Sequence, residues 1–108
     1  MRIIVYGTLS GKFPLEDWLK KLSGDVRAVI LSRINRVRLG NFGDSKLIRG
    51  GGGVWELRVD VGPGYRVYYG KKGDAMVVLL VGGDKGSQIR DIAKAKQYWL
   101  EFKELVNE

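Results

Sequence analysis

VWELRVDVGPGYRVYYGKKGDAMVVLLVGGDK, residues 54–85, is the stretch whose periodicity decides the fold. Read with period two, Trp55, Leu57, Val59 and Val61 fall on one face, with Glu56, Arg58 and Asp60 on the other. Gly62-Pro63-Gly64 is turn chemistry, after which Tyr65–Lys71 alternates again as a returning strand. A loop of those three residues pairs Val61 with Tyr65 and preserves side-chain parity across the hairpin. Arg58, Arg66 and Tyr68 then share one face, and Trp55, Leu57, Val67 and Tyr69 the opposite one. Like charges a strand apart repel, so the arginine face is poor packing and a good seat for an anion. Lys72-Gly73 reads as the next turn, and Ala75–Val81 is apolar throughout, an interior strand covered on both faces.

Upstream, Ile3–Tyr6 is a short β-branched run closed by Gly7, a strand. Pro14 suits a helix start, and Leu15, Trp18, Leu19 and Leu22 follow as one apolar stripe that excludes Lys20 and Lys21. Ser23-Gly24-Asp25 breaks that pattern and supplies a new cap. Val26, Val29, Ile30, Ile34 and Val37 mark a second helix ending near Gly40, so the two form a helical hairpin. Lys46–Arg49 reads as a strand and Gly50–Gly53 as a mobile hairpin tip. The four glycines are no phosphate cradle, because no GK[ST] and no helix follow them. Downstream, Gly82–Ser87 leads into a last helix, with Asp84 or Ser87 available as cap. Its buried stripe is Ile92, Ala95, Trp99, Phe102 and Val106. Asp91 and Lys103 suit the helix dipole, whereas Glu101, Glu104 and Glu108 do not. Trp18, Trp55 and Trp99 are core residues on this reading, not base-stacking platforms.

The predicted order is strand, two helices, four strands, helix. This is an α+β domain, β-α-α-β-β-β-β-α, whose strands from Ser45 onward make an antiparallel meander. The expectation is a mainly antiparallel, twisted sheet with helices packed on one face and the other face partly open.

At 108 residues the chain, 1–108, is one domain. Such a domain buries roughly 60–70% of its unfolded surface. It has no cysteine and no histidine, which excludes disulfides, most zinc sites and the usual neutral-pH general base. Nineteen Lys and Arg against twelve Asp and Glu give a formal charge of +7, a field suited to phosphates, anionic lipid or an acidic protein. The apolar run after Arg2 is far short of the ~7–15 residues of a signal core. No run reaches the ~18–20 residues of a membrane span. The expected address is cytoplasmic and reducing, with no membrane contact. Arg27, Arg33, Arg36 and Arg38 decorate the second helix, either as a solvated face or as attraction for a polyanion.

WLKKL at 18–22, RINRVRLGNFGD at 33–44, ELRVDVGPGYRVYYG at 56–70 and LLVGGDKGSQIRDIAKAKQYW at 79–99 together resemble the RelE/ParE superfamily of bacterial toxins. The chain most resembles the HigB-like, addiction-module-killer branch of these type II toxin–antitoxin proteins. The resemblance implies a toxin held inactive by a cognate antitoxin. RelE-like members cleave mRNA, often on the ribosome, through a basic cluster on the open sheet face with no metal and no cofactor. ParE-like members instead block DNA gyrase, and an inactive, antitoxin-binding remnant is a third possibility. The motif alignment puts the family's catalytic arginine at Arg66, its preceding-strand basic position at Arg58, and the basic residue after the last strand at Lys85. Two departures stand out: Glu56 replaces a lysine, and the tyrosine near the last helix is replaced around Asp91.

An endoribonuclease of this kind lets the RNA 2′-OH attack the adjacent phosphate. The reaction needs a deprotonated hydroxyl, a neutralised phosphorane and a protonated leaving oxygen. Arginine suits the middle task, since its planar fork grips two phosphate oxygens and never loses its charge. Arg58 and Arg66 take that role here. Lys46 and Lys85 are candidates for proton transfer, because neighbouring arginines push a lysine pKa down. Glu56 is either a base or the ion-pair partner of the arginines. Tyr68 is either a proton donor and base-stacking surface or an ordinary cross-strand residue. Arg33, Arg36 and Arg49 are candidate RNA-backbone contacts. Without histidine, catalysis is expected to lean on the ribosome to hold the message in line.

Overall fold

Arg2–Val5 (β1), Pro14–Lys20 (α1), Gly24–Arg38 (α2), Ser45–Leu47 (β2), Val54–Val59 (β3), Tyr65–Lys72 (β4), Met76–Asp84 (β5) and Gln88–Val106 (α3) follow one another along the chain. They are taken from a computed structural model that describes residues 1–106. The expectation for Glu108 lies outside the described residues. The five strands form one sheet in the order β1-β5-β4-β3-β2. β2 to β5 are the antiparallel meander read from the sequence, and β1 adds to the far side parallel to β5. The α+β class and the element order are therefore as read. No helix among the described residues is long and apolar enough to cross a membrane.

The β3–β4 turn is longer than expected. Val59, not Val61, faces Tyr65, and Arg58 lies directly opposite Arg66. The loop needs the room because Gly62 and Gly64 both take left-handed backbone, at φ 55° and 90°, which a Cβ disfavours. The register moves by two residues, so parity survives and both arginines stay on one face.

Layering differs from the expectation in one respect. α1 and α2 cover one face, where Leu15, Leu19, Ile30, Ile34 and Val37 pack on Leu57, Val59, Val67, Tyr69, Val77 and Leu79. α3 lies on the other face, where Ala95 and Trp99 pack on Val54, Tyr68, Val78 and Leu80. The arginine face is thus open only beyond the footprint of α3. Glycines make that landing possible: a Cβ on Gly70 would lie 2.5 Å from the Trp99 ring. β5 also runs on to Asp84 instead of ending at Val81. Gly82 and Gly83 continue it because Trp18 from α1 and Asp91 from α3 fill the places where their side chains would stand.

β5 carries one extra residue. Tyr69 pairs with Leu79 and Tyr68 with Val81, a β-bulge that leaves Leu80 unmatched. Leu80 and Val81 consequently both join the cluster under α3.

Local chemistry fixes the helix ends. Pro14 occupies the first turn of α1, and the Ser23 hydroxyl accepts from the Val26 N–H at 3.3 Å to cap α2. Arg27 donates to the carbonyls of Leu19 and Leu22, tying the end of α1 to α2. Asp84 accepts from the Ser87 N–H at 3.0 Å and starts a 3-10 turn over Lys85–Ser87 ahead of α3. The stripes are shorter than read: Val29 and Val106 are 40% and 41% exposed. β2 is Ser45–Leu47, so Arg49 falls in the glycine loop and Ile48 tucks against the α3-side core. Trp99 is buried core as read, and Trp18 and Trp55 are half-buried against the α1/α2-side core. Trp55 also stacks on Tyr69 and carries the Lys71 ammonium 4.1 Å from its ring centroid.

Candidate phosphate-binding site

The site lies where β2, β3 and β4 emerge from beneath the first turn of α3. Two rows of side chains cross the sheet on that face. Lys46, Glu56 and Tyr68 are in register in one row, and Arg58 and Arg66 face each other in the next, followed by Gly83. Lys85 closes the rim beside Gly64, whose carbonyl accepts from the Lys85 N–H at 3.0 Å. Four cations expected from the sequence, Lys46, Arg58, Arg66 and Lys85, therefore stand at one end of one face.

Their exposure differs sharply. Lys46 and Lys85 are exposed, and the Arg58 side chain is 32% exposed, but that of Arg66 is only 9%. Arg66 does not stand out into solvent as expected. The reason is Glu56, which has no exposed surface at all. Its carboxylate accepts from Arg58 Nε at 3.3 Å and sits 3.6 Å from Arg66 Nε. Gln88, in the first turn of α3, donates to the second oxygen at 2.5 Å. Glu56 is the ion-pair partner of both guanidiniums, and its oxygens are occupied from within the fold. Repulsion between facing arginines is cancelled by a carboxylate held between them.

Tyr68 is likewise fully buried, its hydroxyl sealed away without a hydrogen-bond partner. Burial pushes its phenol well above the ordinary tyrosine range, with the charges of Glu56 and Asp91 adding to the effect. It presents neither a ring for a base nor an accessible proton. Asp91, at the position where the resemblance places a tyrosine, is buried and accepts from Ser87 Oγ.

Outward from the carboxylate, each arginine reaches the rim. Arg58 Nη1 is 3.8 Å from Asp44, and Arg66 Nη1 is 4.0 Å from Asp60 and donates to the Tyr65 carbonyl. A shallow depression of about 620 Å³ lies alongside, lined by Asp84, Lys85, Ser87, Gln88 and Arg90. The partly exposed Arg58 guanidinium and the exposed Lys46 and Lys85 offer positive charge to a phosphodiester on this face.

The other expected backbone contacts lie elsewhere. Arg33 is half-buried on α2, under the opposite face, and donates to the Arg58 carbonyl at 3.1 Å. Arg36 is exposed on α2, away from the site, and Arg49 is exposed in the glycine loop. Sequence reasoning missed Gln88. Nothing local marks it, because its role depends on where α3 lands on the sheet.

Residues 17–99 match the family model described as "Phage derived protein Gp49-like (DUF891)". That family is associated with RelE-like toxins of toxin–antitoxin systems; the finer resemblance to the HigB-like branch is not matched directly. A protein of Haemophilus influenzae (strain Rd), described as "Uncharacterized protein", is 46% identical over 82 residues, which is 75% of this chain and 81% of that protein. The match takes in β3, β4, β5 and most of α3, the elements that build the basic face, and the chain belongs to the Gp49-like family of phage-derived proteins.

Proposed function

We propose that this protein is the toxin of a toxin–antitoxin pair and acts as an endoribonuclease on mRNA, with the ribosome presenting the message. One observation carries the reading: Arg58 and Arg66 face each other across β3 and β4 with Lys46 and Lys85 at the rim. Membership of a family associated with RelE-like toxins supports it.

In the proposed reaction the scissile phosphate sits on the guanidinium edges of Arg58 and Arg66. The 2′-oxygen attacks phosphorus, the P–O5′ bond breaks, and a 2′,3′-cyclic phosphate and a free 5′-hydroxyl form. The arginines stabilise the charge that builds on the non-bridging oxygens, worth about 3–4 kcal/mol per well-placed donor. The buried carboxylate and phenol are unsuited to proton transfer. That work falls to Lys46 and Lys85, one taking the 2′-proton and the other supplying one to the 5′-oxygen. Both lysines are exposed and mobile at the rim until substrate arrives, so orientation of the message by the ribosome supplies much of the rate. An acidic antitoxin segment is the partner proposed to cover this face.

Purified protein incubated with translating ribosomes, with and without EDTA, followed by mapping of 5′ ends, tests the reading. Cleavage that persists in EDTA is expected; intact message overturns it. The burial of Glu56 and Tyr68 favours one alternative, a non-enzymatic block of DNA gyrase. Inhibition of supercoiling by the purified protein, with mRNA left intact, would establish that alternative.

A further inference from the structure

Arginine side chains have four rotatable bonds, and two of them on facing positions of adjacent strands repel. Left alone they diverge. Here they converge on Glu56, which meets both by their Nε atoms, at 3.3 Å for Arg58 and 3.6 Å for Arg66. Their remaining contacts, to Asp44, Asp60 and the Tyr65 carbonyl, use Nη1 and lie at the rim. Arg58 Nε is thus hydrogen-bonded to the carboxylate, Arg66 Nε is held beside it by charge without a hydrogen bond, and the Nη1 ends of both lie toward the rim.

A carboxylate with no exposed surface is tolerated only where charged partners and hydrogen bonds replace water. Glu56 has both, and Gln88 fixes its second oxygen at 2.5 Å. Neither oxygen is directed at a substrate hydroxyl, so the geometry does not suit a base. It suits a clamp.

We propose that Glu56 is a positioning residue: it holds Arg58 and Arg66 at one spacing by their Nε edges, and Gln88, reaching from α3, holds Glu56. The functional consequence rests on the ribonuclease reading above, whereas the clamp itself does not. The clamp makes a prediction that charge counting reverses. Removing a negative charge beside a phosphate site should strengthen RNA binding and, if charge were all, raise turnover. If Glu56 presets the guanidiniums, its removal lowers turnover although binding does not weaken.

Three measurements on wild type, Glu56→Gln and Gln88→Met separate the cases. Side-chain ¹H–¹⁵N spectra report hydrogen exchange at the Arg58 and Arg66 Nε–H groups. Anisotropy with a 2′-O-methyl RNA, which cannot be cleaved, reports binding. Cleavage on translating ribosomes reports turnover. For Glu56→Gln, Nε–H exchange should quicken and kcat fall by about tenfold or more, with RNA affinity unchanged or tighter. Gln88→Met should shift both in the same direction by roughly threefold. Nε–H exchange as slow as in wild type, or undiminished turnover, in Glu56→Gln overturns the proposal. If that variant fails to fold by circular dichroism, Gln88→Met decides on the same criteria. Wild type that cleaves no RNA, with Nε–H protection lost in Glu56→Gln, refutes the ribonuclease reading and upholds the clamp.

Discussion

Arg58 and Arg66 carry equal charge on facing positions, yet substituting them should have unequal results. Arg58 is partly exposed, so Arg58→Ala should cut ribosome-dependent cleavage about 10²–10³-fold and lower the urea midpoint less than Arg66→Ala, because water can enter the place it leaves beside Glu56. Arg66 is buried against Glu56. Arg66→Ala should lose the same activity and also up to about 3–5 kcal/mol of stability, since it removes one charged partner of a buried carboxylate from a place closed to water. Equal urea midpoints for the two variants would contradict that contrast. Burial also pushes the phenols of Tyr6, Tyr68 and Tyr69 upward, with Glu101 adding to the shift at Tyr6. Their contribution to stability is complete below tyrosine's ordinary value of about 10 and is lost as pH rises through the folded-state value. Near-ultraviolet titration should therefore find these three ionising only as the fold opens. Parity alone placed Arg58, Arg66, Glu56 and Tyr68 on one face. Which of them would be dehydrated was not legible, because that depends on α3, which reaches the sheet from more than twenty positions further along the chain.

Each helix and strand owes its existence to a local pattern and its extent to its neighbours. The Ser23 cap is local, and Ser23→Ala should cost about 1 kcal/mol in a urea titration. The close approaches over glycine are not local. Gly70→Ala pushes a methyl into the Trp99 ring and Gly82→Ala pushes one into Trp18. Each should destabilise by about 1–3 kcal/mol, as overpacked cores do; an unchanged midpoint for either would mean that the ring moves aside freely. The same contacts explain why β5 looked shorter in sequence than it is. Gly82-Gly83 has the composition of a turn, and only the tryptophan and aspartate that stand over those two residues make them strand. The position of α3 was equally hidden, since an apolar stripe says that a helix packs and not on which side.

Taken whole, the molecule is a strongly basic body, +7 in formal charge, with four of its cations gathered at one end of one face. Binding to single-stranded RNA should weaken with salt, log K falling by about 0.7 per phosphate contact for each unit of log salt concentration. A two-phosphate footprint would give a slope near −1.4 on the same basis, measurable by anisotropy with a short oligonucleotide. A flat response would rule out guanidinium–phosphate contact as the source of affinity. The α+β class and the meander were readable from alternation alone. The paired arginines were readable too, although their true register was not, because a five-residue turn and a three-residue turn leave the same parity.

The extra residue in β5 has a topological consequence. Beyond Leu80 the strand exchanges its sides, so Gly83 rather than its neighbours comes to lie beneath Asp91, and Lys85 emerges on the flank where the guanidiniums are. Were the same residues to run on in strict alternation, without the bulge, Gly82 would take the place beneath Asp91 and Lys85 would turn to the flank already occupied by the helical hairpin. The basic surface thus depends on a miscount of one between two neighbouring strands.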